Sequence, residues 1–260
     1  MSVTDRFRSA LFSSDATAPM EPELLPERLA QACAESLSVA GVGISLINEG
    51  FRIPLGASDA KATSAERLQF TLGEGPCLAA YAQSHALRAD ESELRQSWPM
   101  LYAELVRITA YRSVVSLPML RVQGGRGGAV DLYLEGPTQA GDLDLGEAEI
   151  VIALMAAALA VSATSANIAV AAGAGAGLGN DSRPLSSGTS DPRPAWLNAL
   201  TVQQRQRVWV AIGILNVELE VNAADALALL RAFGFARGRV LDDIAEDLIT
   251  GVLPAADLRT

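Results

Sequence analysis

The sequence predicts an α+β protein: an N-terminal antiparallel sheet with helices packed on it, a flexible linker, and a C-terminal three-helix bundle. Three observations carry that expectation. Short strand-like runs alternate with helical runs between residues 23 and 170, residues 171–195 shift to Gly, Ser and Pro, and three amphipathic helical stripes follow within 196–260. Hydrophobic residues make up 50% of the 260, enough to bury a core in each part.

Taken in chain order, residues 1–22 are polar with scattered prolines and read as a loose arm. In LLPERLAQACAESL (24–37), apolar residues at 25, 29, 33 and 37 form a helical stripe, with Pro26 near the start where its missing N–H costs nothing. VGISLIN and FRIPLGAS are strand-like runs separated by Glu49 and Gly50, a hairpin signal. Helical GPCLAAYAQS and SWPMLYAELVRIT then alternate with strand-like SVVSLPMLRV and GGAVDLYLE, the last two joined by a glycine-rich turn. A long helix over 145–170 closes this part. The uncharged run 150–180 is long enough to span a bilayer, but its Leu, Ile, Val and Met are concentrated in 150–161 and no Lys or Arg flanks it closely. It reads as an Ala-rich helix packed on the domain or on a second copy, and no membrane partner is expected.

Residues 171–195 cannot bury enough to order themselves and read as a tether. Beyond it, Thr201 and Gln204 have capping-box spacing, and Val208, Ile212, Leu215 and Leu219 share one helix face. Asn222 starts a second helix with Ala226, Leu229, Leu230 and Phe233 on its apolar side, and Gly234 and Gly238 both suit its C-terminal cap. Leu241, Ile244, Ala245 and Leu248 mark the third.

Charge and residue counts narrow the function classes. Twenty Lys and Arg against 30 Asp and Glu give a net charge of −10, so contact with nucleic acid requires a local basic patch. Two cysteines, Cys33 and Cys77, make no disulfide framework, and no secretory signal opens the chain, so the expected location is cytoplasmic. With one histidine, His85, neither a metal shell nor a nucleophile–base–acid set is legible, and neither a catalytic residue nor a metal site is expected. GEGPC (73–77) lacks the Lys of a phosphate-binding loop and reads as a glycine turn opening a helix at Pro76. GGRGG (124–128) reads as a hairpin turn in preference to an anion site.

VWVAIGILNVELEVNAADALALLRAFGFARGRVLDDIAEDLI resembles the ANTAR domain, a three-helix RNA-binding module of bacterial transcription antiterminators. The likeness rests on the order of Val208, Ala211, Gly213 and Leu215, then Ala226 with LLR at 229–231, then Arg239, Leu241, Ile244 and Ala245. Upstream, LQFTLGEGPCLAAY, SWPMLYAEL, SVVSLPML and GGAVDLYLEGP resemble a GAF domain of the kind found with ANTAR in actinobacterial regulators. The resemblance implies domains over 23–170 and 196–260, and a homodimer that binds tandem stem-loops in nascent mRNA to control termination. It also implies a small-molecule or protein signal sensed by the GAF-like part; no cofactor is named.

For RNA, the candidate contacts are Arg205, Arg207, Arg231, Arg237 and Arg239. Ala211, Gly213, Leu215, Ala226, Leu230 and Ala245 are expected to serve motif packing, and Cys77 and Tyr81 are the candidates for the sensor pocket. Ile212 and Asn216 depart from the ANTAR pattern, where Lys or Thr and Met are frequent, and residues 196–260 hold six arginines against eight acids. A second reading therefore stands beside the first: the same bundle as a dimerisation or partner-docking scaffold.

Overall fold

The computed structural model describes residues 1–13, 21–48, 51–123, 126–175, 194–198 and 200–259. Helices α1 (Val3–Ser13) and α2 (Leu25–Leu37) precede the hairpin β1 (Gly41–Asn48) and β2 (Phe51–Ala57), then α3 (Ala60–Leu72) and α4 (Pro76–Gln83). Strand β3 (Leu87–Ala89) leads to α5 (Glu91–Ser97), α6 (Pro99–Ile108), β4 (Ser113–Gln123), β5 (Arg126–Leu134), the single turn α7 (Gln139–Asp142) and α8 (Leu145–Gly175). The C-terminal helical unit comprises α9 (Leu200–Glu218), α10 (Ala223–Arg237) and α11 (Leu241–Ile249).

The strands form one five-stranded sheet in the order β2-β1-β5-β4-β3, every neighbouring pair antiparallel. Because side chains alternate along a strand, each strand serves two layers. Val42, Ile44, Leu55, Val115, Leu117, Val130 and Leu132 bury one face against Leu29 and Cys33 of α2 and Val151, Met155 and Leu159 of α8. The opposite face meets α3, α4 and α6, where Val114, Tyr111 and Tyr133 pack with Ala62, Ala65, Leu101 and Leu105. The stretch Leu145–Ala163 is apolar and long enough to cross a membrane by length and composition, yet its Ala148, Val151, Ile152, Met155 and Leu159 are buried in this core.

Three differences from the sequence reading are physical. The arm expected over 1–22 contains α1, because Val3 and Phe7 lie one helical turn apart and both bury in the core while Arg6 bonds Glu147 at 2.6 Å. The closing helix runs to Gly175, five residues beyond the expected boundary at 170, whereas residues 176–193 of the expected linker lie outside the described residues. Trp196, placed by sequence in the C-terminal domain, is 1% exposed and belongs to the core of the sheet domain.

In the helical unit, Val208, Ile212, Leu215 and Leu219 form the buried stripe with Leu227, Leu230, Phe233, Leu241, Ile244 and Leu248. The Asn222 side chain caps α10 by accepting the Asp225 N–H at 2.9 Å, and Gly238, at φ +61°, ends it. Gly234 instead stays inside the helix, where a Cβ would come within 2.8 Å of the Arg239 carbonyl oxygen. Helix α9 begins at Leu200, which puts Thr201 inside it; the side chains of 200–206, Gln204 and Arg205 included, lie outside the described residues.

Candidate functional site

The site is built around α3, a helix that the sequence reading passed over. Its limits are chemical: the Asp59 side chain accepts the Ala62 N–H at 2.8 Å, and Gly73, at φ +70°, supplies the left-handed cap. Residues 62, 65, 66 and 69 face the sheet, and residues 67, 70 and 71 face the helical unit.

The inward side carries a buried polar cluster. Arg52 on β2 donates to the Glu66 carboxylate and, at 2.9 Å, to its carbonyl, and reaches Asp131 of β5 at 3.3 Å. Glu66 also accepts from Ser45 Oγ at 2.9 Å and Tyr133 Oη at 2.7 Å. Gln69 Nε2 donates to Asp131 and to Tyr133 Oη, both at 2.7 Å, and Gln69 Oε1 accepts from Cys77 Sγ at 3.2 Å. The Ser116 hydroxyl donates to the other Asp131 oxygen. Strand pleating explains this convergence: Gly43 and Ser116 flank Asp131 in the register, and every member points to the same side. Gly43 has room for Glu66 only because it lacks a Cβ, which would overlap the carboxyl group.

One cation faces two carboxylates here, all of them buried. Burial and the neighbouring Glu66 carboxylate push the Asp131 carboxyl up to about 6, against the pull of Arg52 and the Ser116 and Gln69 donors. Burial likewise raises the Cys77 thiol well above its ordinary value, so it stays protonated at neutral pH. Of the two expected pocket residues, Cys77 is a member of the cluster, and Tyr81 borders it, packing with Ile47, Cys77 and Ala129. The sequence reading did not single out Arg52, Glu66, Gln69 and Asp131. GEGPC (73–77) does form the turn that opens α4 at Pro76, and Gly75 is pressed against Gln69. His85 is exposed, its Nδ1 facing the Gln83 carbonyl at 3.1 Å.

The outward side of α3 holds the helical unit. Arg67 bonds Asp242 and Asp243 at 3.1 Å each, and Phe70 joins the helical unit's core beside Val208, Leu215, Leu230 and Phe233. The Thr71 hydroxyl accepts the Leu241 N–H at 3.3 Å. The Arg231 guanidinium lies against Gly73, where a Cβ would overlap it. A cavity of about 360 Å³ opens along this seam, lined by Arg67, Leu72, Arg107, Phe235, Arg239 and Val240 among others.

The expected RNA-contacting arginines fall into different settings. Arg207 pairs with Glu246, and Arg239 pairs with Asp247 at 2.7 Å. Arg231 is partly buried, its Nε lacks a hydrogen-bond partner among the described residues, and burial lowers its pKa. Arg237 is exposed and stacks over the Phe233 ring at 3.6 Å. The side chain of Arg205 lies outside the described residues. Ala211, Leu215, Ala226, Leu230 and Ala245 are fully buried in the helical core. Gly213 is not: it is exposed, with nothing within 4 Å of a built Cβ, because it lies off the stripe that α9 turns inward.

Compared with known proteins, the chain matches no family model and no curated protein. Among solved structures it is similar to the GAF domain of a phosphoenolpyruvate-protein phosphotransferase from Coxiella burnetii, at 17% identity over 68% of this chain and 98% of that one, with a TM-score of 0.43.

Proposed function

We propose that this chain is a cytoplasmic, signal-responsive regulator in which the GAF-like sheet domain is the sensor and the ANTAR-like helical unit, acting as a homodimer, binds structured RNA to control transcription termination. The observation that carries this reading is the surface at the end of α10, where the exposed Arg237 guanidinium sits 3.6 Å from the centroid of the buried Phe233 ring and the neighbouring Phe235 is 48% exposed. Cations for phosphates and aromatic faces for unstacked bases are what recognition of RNA loops requires. The open face of α9, with Val210 and Val217 exposed on either side of Gly213, suits a second copy and so the paired binding of two loops.

A second reading, the helical unit as a partner-docking scaffold, is favoured by the pairing of Arg207 with Glu246 and Arg239 with Asp247. These ion pairs subtract from the charge available to phosphate.

Binding of the full chain to a two-stem-loop RNA, measured across salt concentrations, separates the two. The RNA reading expects affinity that falls as salt rises. If Arg231, Arg237 and Arg239 each meet a phosphate, their replacement by Ala lowers the slope of log K against log salt by roughly 2–3. A folded dimer that binds no such RNA with or without its signal overturns the RNA reading in favour of the scaffold.

A further inference from the structure

We infer that α3 is a coupling clasp: the buried Arg52–Glu66–Asp131 cluster fixes its inner side, its outer side holds the helical unit, and loosening the cluster releases that unit. The inference adds a regulatory device to the sensor–output reading and rests on the contacts of one helix.

The docked helical unit is incomplete without α3. Its core takes in Phe70, which is 6% exposed. Helix α11 begins after Val240, a residue with no side-chain acceptor, so its first turn borrows the Thr71 hydroxyl. The same turn carries Asp242 and Asp243, which Arg67 holds. Undocking would strip one large apolar side chain, one helix cap and two ion pairs from the unit together.

The inner face gives α3 only one seating. Glu66 and Gln69 are held from three strands and the start of α4: Arg52 on β2, Ser45 on β1, Asp131 and Tyr133 on β5, and Cys77 on α4, with Ser116 of β4 bonding Asp131 behind them. On a rigid helix, residues 66 and 69 cannot shift without carrying 67, 70 and 71 with them. A change in the cluster is therefore passed to the seam within one turn of backbone.

Docking also carries an opposing cost. Arg231 is held partly buried against Gly73, its Nε without a partner among the described residues, and release returns its guanidinium to water or to an anionic partner. The clasp is thus opposed by one of the cations that the output would use.

The test is amide hydrogen exchange of the full chain, read by mass spectrometry without RNA, so that its failure is distinct from a failure of RNA binding. Arg67→Glu sets a carboxylate against Asp242 and Asp243, and Arg52→Lys weakens the cluster from the far side of α3 by giving up part of the guanidinium's hydrogen bonding. The clasp predicts that both variants speed exchange in residues 226–249 by about tenfold or more while β1, β4 and β5 stay protected. Unchanged exchange in Arg67→Glu overturns the clasp. Accelerated exchange in Arg67→Glu but not in a folded Arg52→Lys overturns its coupling to the cluster. If Arg52→Lys unfolds the sheet, Ser116→Ala, which removes one donor to Asp131, takes its place and is read in the same way.

Discussion

Thr71 caps a helix from which it is separated by 170 residues: its hydroxyl accepts the N–H of Leu241, the first residue of α11. A helix ordinarily finds its N-terminal acceptor in the residue just before it. Here that residue is Val240, so part of the helical unit's own secondary structure depends on its position against the sheet domain. The C-terminal unit is therefore completed by the sheet domain as well as tethered to it.

Thr71→Val keeps the side-chain shape and deletes the acceptor. The expected cost is about 1 kcal/mol of stability, the usual worth of a cap, concentrated in the helical unit. Thr71→Ser restores most of it. Urea unfolding followed by circular dichroism gives the total, and exchange at the first turn of α11 locates it. A loss in the Ser variant with none in the Val variant would show that the methyl contact, not the hydroxyl, is what matters.

Arg52→Met leaves Glu66 and Asp131 facing each other without a cation in a fully buried setting. Breaking a buried pair in this way costs about 3–5 kcal/mol, because the carboxylates remain desolvated. Arg52→Lys is expected to recover only part of the loss, since a single ammonium cannot match a guanidinium that bonds the Glu66 carbonyl, its carboxylate and Asp131 at once. Urea midpoints for the two variants and the parent chain decide it, and a Lys variant equal to the parent would refute the geometric argument.

The Asp131 carboxyl gives a signed pH dependence. Its value in the fold, about 6, lies above its ordinary 3.8, so the folded state binds the proton more tightly than the unfolded state. That favours folding below pH 4, and the advantage is lost as pH rises through about 6. Relative to Asp131→Asn, the parent chain is expected to lose unfolding free energy between pH 4 and pH 7. Parallel slopes for the two proteins in urea titrations would mean that Asp131 titrates normally.

What could be read from sequence divides along physical lines. The strands were legible because Val42–Ile44 and Val130–Leu132 alternate with residues of the other face, and the helical stripes of α9, α10 and α11 because each has one apolar side. Helix α3 was not, because it has two occupied faces. Its inner positions are Glu66 and Gln69 among alanines and its outer ones Arg67 and Thr71, so no apolar stripe separates inside from outside. The legible signals were Asp59 and Gly73, a cap at each end of thirteen residues, nine of them the helix formers Ala, Leu, Lys, Glu, Arg and Gln. The cluster was hidden for a related reason: charged residues at 52, 66 and 131 become partners only through sheet register and the crossing of α3. Cys77 was found because the turn before it has a local glycine signature. The arginines of the helical unit could be counted but not assigned, since pairing with Glu246 or Asp247 depends on how α9, α10 and α11 pack.

Trp196 fixes where the linker ends. It is 1% exposed among the side chains that α2 and α8 pack on the sheet, although sequence places it at the head of the helical unit. Its indole N–H has no partner among the described residues, so its contribution is apolar packing. Trp196→Ala is expected to cost about 3–5 kcal/mol, the range for deleting a buried aromatic ring. Because this anchor lies only a few residues before α9, the loss should appear in two places: a lower unfolding midpoint of the sheet domain, and faster exchange in the first turns of α9. Trp196→Phe keeps a ring without the unsatisfied N–H and should retain more than half of the stability. If Trp196→Ala lowers the sheet midpoint but leaves α9 exchange unchanged, the helical unit is held by the α3 seam and the packing of α9 on β2 without it, and the anchor belongs to the sheet domain's core rather than to the coupling between the two parts.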